Sequence, residues 1–292
     1  MMSLQAAYLQ AIQAAYPDLS IHNSCLHNKD GQYNDILIVN DEIIFRFPRY
    51  PEGVQSIQNE IRILSRIQNH TTLPVPNPVY TSTDTEKIGE VFMGYEKIPG
   101  EPLWRETLHS IEDDEHLQNL ATQLAGFLKE LHSIPVAIFG TDLLINDSRE
   151  EWAALYAEFR EHLFPFMRPD ACDWVVNHFE TYLDEPRLHA YKPSLRHGDF
   201  GPGNILYDRK NQVITGIIDF GFAGLGDSAL DIAAAMSYGE SFFARYIPAY
   251  PNIESTLERA HFYRGTYALY EALHGIKHGD KEAFESGIAA YI

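Results

Sequence analysis

The 292-residue sequence has few basic side chains and few cysteines. Lys and Arg together number 22 against 41 Asp and Glu, which gives a formal net charge of −19 at pH 7. This charge repels phosphate backbones and argues against a nucleic-acid partner, whereas it would attract polycationic small molecules. The two cysteines, Cys25 and Cys172, match no metal-ligand spacing and form no disulfide framework. We therefore expect buried thiols and a cytoplasmic protein.

Long apolar runs are also missing. No run approaches the roughly 20 residues that a membrane-spanning helix needs, so no membrane partner is expected. The N-terminus has no basic residue ahead of its apolar positions, unlike a signal peptide. Its apolar residues instead follow the spacing of one face of an amphipathic helix: Leu4, Ala7, Tyr8, Ala11, Ile12 and Ala15. With 45% apolar and 22% charged residues, the composition is that of a globular protein.

The first third of the chain reads mainly as strands. Apolar runs in I-L-I-V-N at 36–40 and E-I-I-F-R-F at 42–47 predict a hairpin with its turn at Asn40–Asp41. Apolar residues recur at helical spacing over 53–69, and a second hairpin is predicted over 79–98. The segment I-P-G-E-P-L at 98–103 then breaks the pattern.

Beyond that break the chain is largely helical. Helices are predicted over 115–133, 150–164 and 171–184 and from Ser228 onward, and two short strands flank a turn at 209–212. We therefore predict an α+β fold with two lobes. The lobe of residues 1–97 would be small and β-rich with one helix, and the lobe of residues 98–292 larger and mainly α. Ligand pockets tend to lie in clefts between such lobes.

Two neighbouring segments contain the candidate catalytic and metal-binding residues. Residues 196–208 read R-H-G-D-F-G-P-G-N-I-L-Y-D, and I-I-D-F-G follows at 217–221. Asn, Asp, Gly and Pro are turn residues, so a plain loop is the alternative. A hairpin between the two segments would, however, bring Asp219 beside Asp199 and Asn204. Their oxygens suit a hard divalent cation and phosphoryl transfer, in which a carboxylate orients the attacking hydroxyl.

H-G-D-F-G-P-G-N followed by I-I-D-F-G-F-A resembles the catalytic and metal-binding loops of the aminoglycoside phosphotransferase family, which has the protein-kinase fold. The resemblance extends over most of the chain, since F-R-F-P-R at 45–49, G-Y-E-K-I-P-G-E-P-L at 94–103 and L-K-E-L-H-S-I at 128–134 follow in the family's order. It is strongest for the 2″-phosphotransferase branch, with the macrolide kinases close behind. The resemblance implies that Asp199 is the catalytic aspartate and that Asn204 and Asp219 bind Mg²⁺. Asp231 matches a family aspartate with a structural role.

The resemblance also assigns nucleotide-binding residues. Glu60 matches the helix glutamate that pairs with a phosphate-binding cation, although a solvated helix face is the alternative for this residue. Glu96 and Ile98 match hinge positions whose backbone groups hold the purine of ATP or GTP. Arg46 stands where the family typically has lysine; arginine is a planar, permanent cation, so this change is not conservative. The loop D-G-Q-Y-N-D at 30–35 offers a single glycine for covering the nucleotide.

Three nearby features have structural interpretations. His197 is expected to orient the loop rather than act as a base. Asp227 is expected to cap a helix that starts at Ser228. G-F-A-G-L-G at 221–226 has neither the spacing nor the βαβ context of a dinucleotide site.

In the resembling family, acidic side chains on C-terminal helices bind the amines of the drug. Candidates are Glu240 and Glu271, which could equally be ordinary helix-surface carboxylates. Aromatic residues nearby could serve a larger, less charged acceptor or form core: Phe242, Phe243, Tyr246, Tyr267 and Tyr270.

The expected function is that of a small-molecule kinase. It would transfer the γ-phosphate of Mg²⁺-bound ATP or GTP to a hydroxyl of an aminoglycoside-type antibiotic and so confer antibiotic resistance. The alternatives are a kinase of a macrolide, sugar or amino alcohol and, because of Arg46, a nucleotide-binding pseudokinase without transferase activity.

Overall fold

A computed structural model describes residues 3–27, 33–141 and 143–292. The described strands are β1 Ser24–His27, β2 Asn34–Val39, β3 Ile43–Pro48, β4 Tyr80–Ser82, β5 Phe92–Glu96, β6 Glu101–Pro102, β7 Ser194–Arg196, β8 Ile205–Asp208, β9 Val213–Ile217 and β10 Gly224–Gly226. The described α-helices are α1 Leu4–Ala15, α2 Pro51–Ile67, α3 Arg105–His109, α4 Asp114–Ser133, α5 Arg149–His162, α6 Pro169–Asp184, α7 Ala229–Ala235, α8 Glu240–Tyr246, α9 Glu254–His278 and α10 Lys281–Ile288.

The chain divides into two compact units, each assembled from several segments. The first unit contains Met1–His116, Ala137–Gly140 and His197–Ala223. The second unit contains Leu117–Val136, Thr141–Arg196 and Gly224–Ile292. The lobe boundary between residues 97 and 98 stays a prediction.

The first unit is built on an antiparallel sheet of five strands in the order β1-β2-β3-β5-β4. β2 and β3 pair with Ile38 opposite Ile44, and the turn between them places Asn40 and Asp41 at φ 55° and 60°. Two successive residues with positive φ give the backbone twist that a tight hairpin needs, and Asn and Asp tolerate it well. The predicted hairpins at 36–47 and 79–98 are both confirmed, the second as β4 paired with β5.

Helix α1 packs on this sheet through one face. Tyr8 and Ile12 are buried in a cluster with apolar residues of β2, β3 and β5. The Tyr8 ring stacks on Phe47 at 3.9 Å between centroids, and its hydroxyl donates to Asp35 at 2.6 Å. The buried Asp35 carboxylate also accepts from Arg49 at 2.7 Å. The predicted amphipathic helix is therefore confirmed, and a buried polar contact ties it to β2.

A three-stranded sheet, in the order β6-β8-β9, completes the strands of the first unit. β8 and β9 form the hairpin expected around residues 209–212, and Ile205 lies opposite Ile217. The hairpin thus begins and ends beside the two motif segments at 197–204 and 217–221. Helix α2 runs over 51–67 where the sequence predicted 53–69, because Pro51 is well suited to the first helical position.

The second unit holds most of the helices, and the predicted helices over 115–133, 150–164 and 171–184 are found as α4, α5 and α6. Its two short strands, β7 and β10, pair antiparallel with Arg196 opposite Gly224. Arg196 donates to the Asp147 carboxylate at 2.6 Å and 3.0 Å, and both residues are buried. This bidentate pair holds the strand that leads into the motif at 197–204.

The prediction of two buried thiols is wrong for Cys25, which is exposed, while Cys172 is half-buried. Cys25 lies in β1, an edge strand, and its neighbours Ser24 and Leu26 are half-buried. Because successive strand residues point to opposite faces, Cys25 falls on the face away from the sheet's core. Among the residues described, no helix has the length and apolar character to cross a membrane.

Candidate active site

The loop after β7 is organised by His197, which is fully buried. Its Nδ1 accepts a hydrogen bond from the backbone N–H of Asp199 at 3.2 Å, so the proton must reside on Nε2. Nε2 lies 3.1 Å from the carbonyl oxygen of Ile218, to which it donates. A neutral imidazole therefore joins the two motif segments, in agreement with the predicted orienting role of His197.

Asp199 carries an exposed carboxylate, and Asn204 closes the loop behind it. The Asn204 amide nitrogen donates to the Asp199 carboxylate at 2.8 Å and to the Asp199 carbonyl at 2.9 Å. Because the amide nitrogen is used in this way, the amide oxygen is the atom of Asn204 that can coordinate a cation.

Asp219 reaches this loop through the β8–β9 hairpin. The backbone N–H of Ile218 donates to the carbonyl of Asn204 at 2.9 Å, which puts Asp219 next to Asn204 at the paired strand ends. Asp219 has φ 62°, in the left-handed region that few non-glycine residues adopt. The Gly221 N–H donates to its Oδ1 at 3.3 Å. The structure thus brings together the three residues that the sequence singled out.

Arg46 of β3 joins the same site. Its guanidinium donates to Glu60 of α2 at 2.5 Å and to Asp219 at 2.7 Å. The same Glu60 oxygen accepts from the backbone N–H of Phe220 at 3.0 Å. Glu60 is 1% exposed, so the solvated helix face that the sequence left open for it is excluded.

Burial and ion pairing shift the pKa values of these three side chains in opposite directions. Burial raises the pKa of Glu60 to about 7, although Arg46 opposes the rise. Burial would lower the pKa of Arg46, but Asp219 and Glu60 raise it, so the guanidinium stays charged. Burial would likewise raise the pKa of Asp219, but Arg46 holds it below its ordinary value. Asp219 is therefore an ionised carboxylate at neutral pH.

The donor set suits Mg²⁺ shared with a phosphate. Asn204 offers an amide oxygen and Asp219 an anionic carboxylate, the hard ligands that this cation prefers. Within the described parts of the chain, no three His, Cys, Asp or Glu side chains are grouped to hold a metal by themselves. A cation here would complete its coordination with water and phosphate oxygens, as Mg²⁺ commonly does in kinases.

The predicted hinge residues lie at the end of β5. Glu96 pairs with Ile43 and is exposed, and Ile98 is half-buried two residues later. The N–H of Lys97 donates to the Glu42 carbonyl at 2.7 Å, which fixes the backbone there. Glu96 is among the residues lining a cavity of about 790 Å³ in the first unit. The purine-binding role of Glu96 and Ile98 stays a prediction.

The predicted acceptor-binding residues lie in the second unit. Glu240 is the exposed first residue of α8, and Glu271 is half-buried in α9. The neighbouring aromatic residues divide between core and surface, with Phe242 and Tyr246 buried, Phe243 half-buried, and Tyr267 and Tyr270 exposed. The roles of Glu240 and Glu271 stay predictions.

Two aspartates after the motif have structural partners. Helix α7 starts at Ala229, one residue later than predicted, and Asp227 accepts from the Ala229 N–H at 3.0 Å. Arg259 also donates to the buried Asp227 carboxylate at 2.6 Å and 3.1 Å. Asp231 is fully buried and lies 2.9 Å from His132, in keeping with its expected structural role.

Sequence patterns missed three residues beside the motif. Ser56 of α2 donates to the Gly221 carbonyl at 2.7 Å. The Tyr33 and Phe222 rings lie 5.4 Å apart between centroids with their planes at 82°. In the loop at 30–35, which the sequence suggested as a cover for the nucleotide, residues 30–32 lie outside the described residues, whereas Tyr33 is described. Periodicity gives no signal for such residues, because each lies in or faces a loop.

The chain is similar to known phosphotransferases. Residues 26–265 match the phosphotransferase enzyme family, APH. Viomycin phosphotransferase of Streptomyces vinaceus is 29% identical over 270 residues, which cover 90% of this chain and 91% of that protein. Aminoglycoside 3′-phosphotransferase of Streptomyces fradiae is 25% identical over 228 residues, covering 74% of this chain and 81% of that protein.

Among solved structures, the GDP and kanamycin complex of APH(2″)-IIIa matches with a TM-score of 0.87 and 25% identity, over 97% of this chain and 96% of that one. This likeness confirms the predicted α+β, protein-kinase-like fold and the resemblance to the 2″ branch.

Proposed function

The chain belongs to the phosphotransferase enzyme family, and from that premise we propose that it transfers the γ-phosphate of Mg²⁺-bound ATP or GTP to a hydroxyl of an aminoglycoside-type antibiotic. The observation that carries the proposal is the closed loop in which Asn204 holds the Asp199 carboxylate at 2.8 Å beside Asp219. Phosphoryl transfer needs little covalent help from the protein and depends mainly on such positioning and on charge neutralisation.

In the proposed mechanism Asp199 accepts a hydrogen bond from the acceptor hydroxyl and takes its proton as the new bond to phosphorus forms. Asn204 and Asp219 would hold Mg²⁺, which supplies positive charge to the phosphate oxygens when bound. Arg46 adds a permanent positive charge to the same site, and its hydrogen bond to Glu60 holds the guanidinium in place. His197 keeps the two loops in register through the Asp199 N–H and the Ile218 carbonyl.

Arg46 supports an active enzyme rather than a pseudokinase. Its guanidinium contacts Glu60 at 2.5 Å and Asp219 at 2.7 Å. A cation at this position can pair with Asp219, the proposed metal ligand, and can also bind phosphate oxygens. A planar fork of donors suits phosphate oxygens. The substitution of lysine by arginine therefore preserves charge at the site.

The proposed acceptor is cationic. Two relatives are named for phosphorylating viomycin and aminoglycosides, and a structural neighbour is a kanamycin complex. The formal charge of −19 favours encounter with polycations. Glu240 and Glu271 remain the proposed contacts for acceptor amines. We place the enzyme in the cytoplasm, where nucleoside triphosphates occur and the free thiols Cys25 and Cys172 stay reduced.

The test is an acceptor screen by mass shift, run with ATP and with GTP on a panel containing kanamycin, gentamicin, viomycin, a macrolide, sugars and amino alcohols. A phosphorylated aminoglycoside supports the proposal. If only a macrolide or a metabolite is phosphorylated, that class of compound replaces the aminoglycosides as the proposed acceptor. Nucleotide binding without stimulated turnover by any acceptor would establish a pseudokinase.

The catalytic assignment is tested with Asp199→Asn. The variant should lose about 10²- to 10⁴-fold in kcat, because it cannot take the acceptor proton, and should keep its nucleotide affinity. Asp184→Asn is the matched control, because its side chain is 81% exposed at the end of α6. A wild-type rate in the Asp199 variant contradicts the assignment.

A further inference from the structure

Two aromatic side chains lie beside the proposed transfer site without a role in the mechanism above. Tyr33 immediately precedes β2, and Phe222 follows Asp219 by three residues. Their rings meet edge to face, with centroids 5.4 Å apart and planes at 82°. This is one of the favoured geometries for an aromatic pair.

Backbone contacts hold both partners of the pair. The Tyr33 carbonyl accepts from the Arg49 N–H at 2.9 Å, which fixes Tyr33 to the end of β3. The Gly221 carbonyl, next to Phe222, accepts from the Ser56 hydroxyl at 2.7 Å. Phe222 is 51% exposed, so core packing alone does not set its position. The pair therefore joins the segment before β2 to the segment that carries Asp219.

The Tyr33 ring reaches the segment that follows Asp219 through its contact with Phe222. Burial raises the pKa of Tyr33, and the Tyr50 phenol and the Asp199 carboxylate raise it further. The phenol consequently keeps its proton at physiological pH and is a neutral hydrogen-bond donor. A donor beside the segment that follows Asp219 lies where negative charge shifts during phosphoryl transfer, and hydrogen bonds to charged oxygens are the strong ones.

We propose that the Tyr33 phenol donates a hydrogen bond to a non-bridging oxygen of the phosphoryl group during transfer, and that the edge-on Phe222 ring sets the direction of this donor. The inference deepens the proposed function and rests on it. The acceptor oxygen forms its bond to phosphorus as the bond from phosphorus to the bridging oxygen of the nucleotide breaks. The acceptor proton passes to Asp199, the electron pair leaves with the nucleoside diphosphate, and Tyr33 keeps its proton.

The phosphoryl group is a better partner for this phenol than the acceptor is. The acceptor hydroxyl must give up a proton, and Asp199 already supplies the oxygen that receives it. The phosphoryl oxygens carry negative charge throughout and are the same for every acceptor. A contact to them is therefore expected to affect kcat equally with all acceptors, whereas a contact to the acceptor would change KM in an acceptor-dependent way.

The test is Tyr33→Phe, assayed with two acceptors that the wild type phosphorylates. We expect kcat to fall about tenfold with both, the loss of one hydrogen bond to a charged group, while both KM values and the nucleotide Kd stay within about twofold. Tyr291→Phe, in the second unit, is the matched control and should behave as wild type. An unchanged kcat, or a loss confined to the KM of one acceptor, overturns the proposal.

Phe222→Ala tests the second half of the proposal. This variant should lower kcat about threefold alone and add nothing in the Tyr33→Phe background, because Phe222 acts only through the phenol. Additive losses would overturn the link between the two rings. A wild type that phosphorylates no acceptor overturns the proposed function and this inference together, whereas an active wild type with a fully active Tyr33→Phe variant overturns this inference alone.

Discussion

Replacing Arg46 by Met should destabilise the protein in a pH-dependent way. Arg46 is 5% exposed and lies between two carboxylates, Glu60 at 2.5 Å and Asp219 at 2.7 Å. Methionine fills much of the same space without the charge, so the principal effect is to leave Glu60 buried without its cation. Removing one partner of a buried ion pair typically costs about 3–5 kcal/mol.

The sign of the pH dependence follows from Glu60. Burial already raises its pKa from 4.5 to about 7 with Arg46 present. Without Arg46 the pKa rises further, so the folded variant holds a proton above pH 7 that wild type and the unfolded chain have both released. The free energy of unfolding of the variant therefore continues to fall as pH rises, by up to about 1.4 kcal/mol per pH unit. The deficit relative to wild type should be larger at about pH 8.5 than at about pH 5.5.

Urea unfolding of both proteins at these two pH values measures the deficit directly. Arg62→Met is the control, because Arg62 lies on the exposed side of α2 and contacts only the half-buried Asn59 among the hydrogen bonds described. It should change the free energy of unfolding by no more than about 0.5 kcal/mol. An Arg46→Met deficit below about 1 kcal/mol, or one that is independent of pH, would refute the buried charge network.

Two further predictions concern residues outside the proposed transfer site. Tyr8→Phe should lower the free energy of unfolding by about 1–2 kcal/mol, because it removes one donor from the buried Asp35 carboxylate; an unchanged urea midpoint would contradict that contact. In the native protein Cys25 should react with a thiol reagent well before Cys172, since Cys25 is exposed whereas burial and nearby carboxylates raise the pKa of Cys172. Cys25→Ser should abolish the fast phase, and a fast phase that persists in this variant would show that Cys172 is the fast-reacting thiol and would contradict the prediction.

Local sequence patterns predicted most of the secondary structure. Apolar residues at helical spacing located α4, α5 and α6, and short apolar runs on either side of turn residues located the β2–β3 and β8–β9 hairpins. These features depend on residues a few positions apart, which is why the sequence alone reveals them. The short elements β1, α3 and β10 carry too few residues for a periodic signal.

The candidate site was predicted in part for the same reason. Asp199, Asn204 and Asp219 lie within one segment of 21 residues. A single hairpin inside that segment brings them together, so their proximity depends on nearby residues alone. Their roles in transfer and in metal binding remain proposals.

The amino-acid sequence by itself determined the acidic character of this protein, its main helices and hairpins, and the motif that gathers three oxygen-bearing side chains. Only the tertiary structure decided that Glu60 is buried, that Arg46 contacts an aspartate 173 positions away, that Cys25 faces outward and that Tyr33 meets Phe222. The physical reason is that burial and long-range pairing depend on which surfaces pack together, and no short window of sequence contains both surfaces.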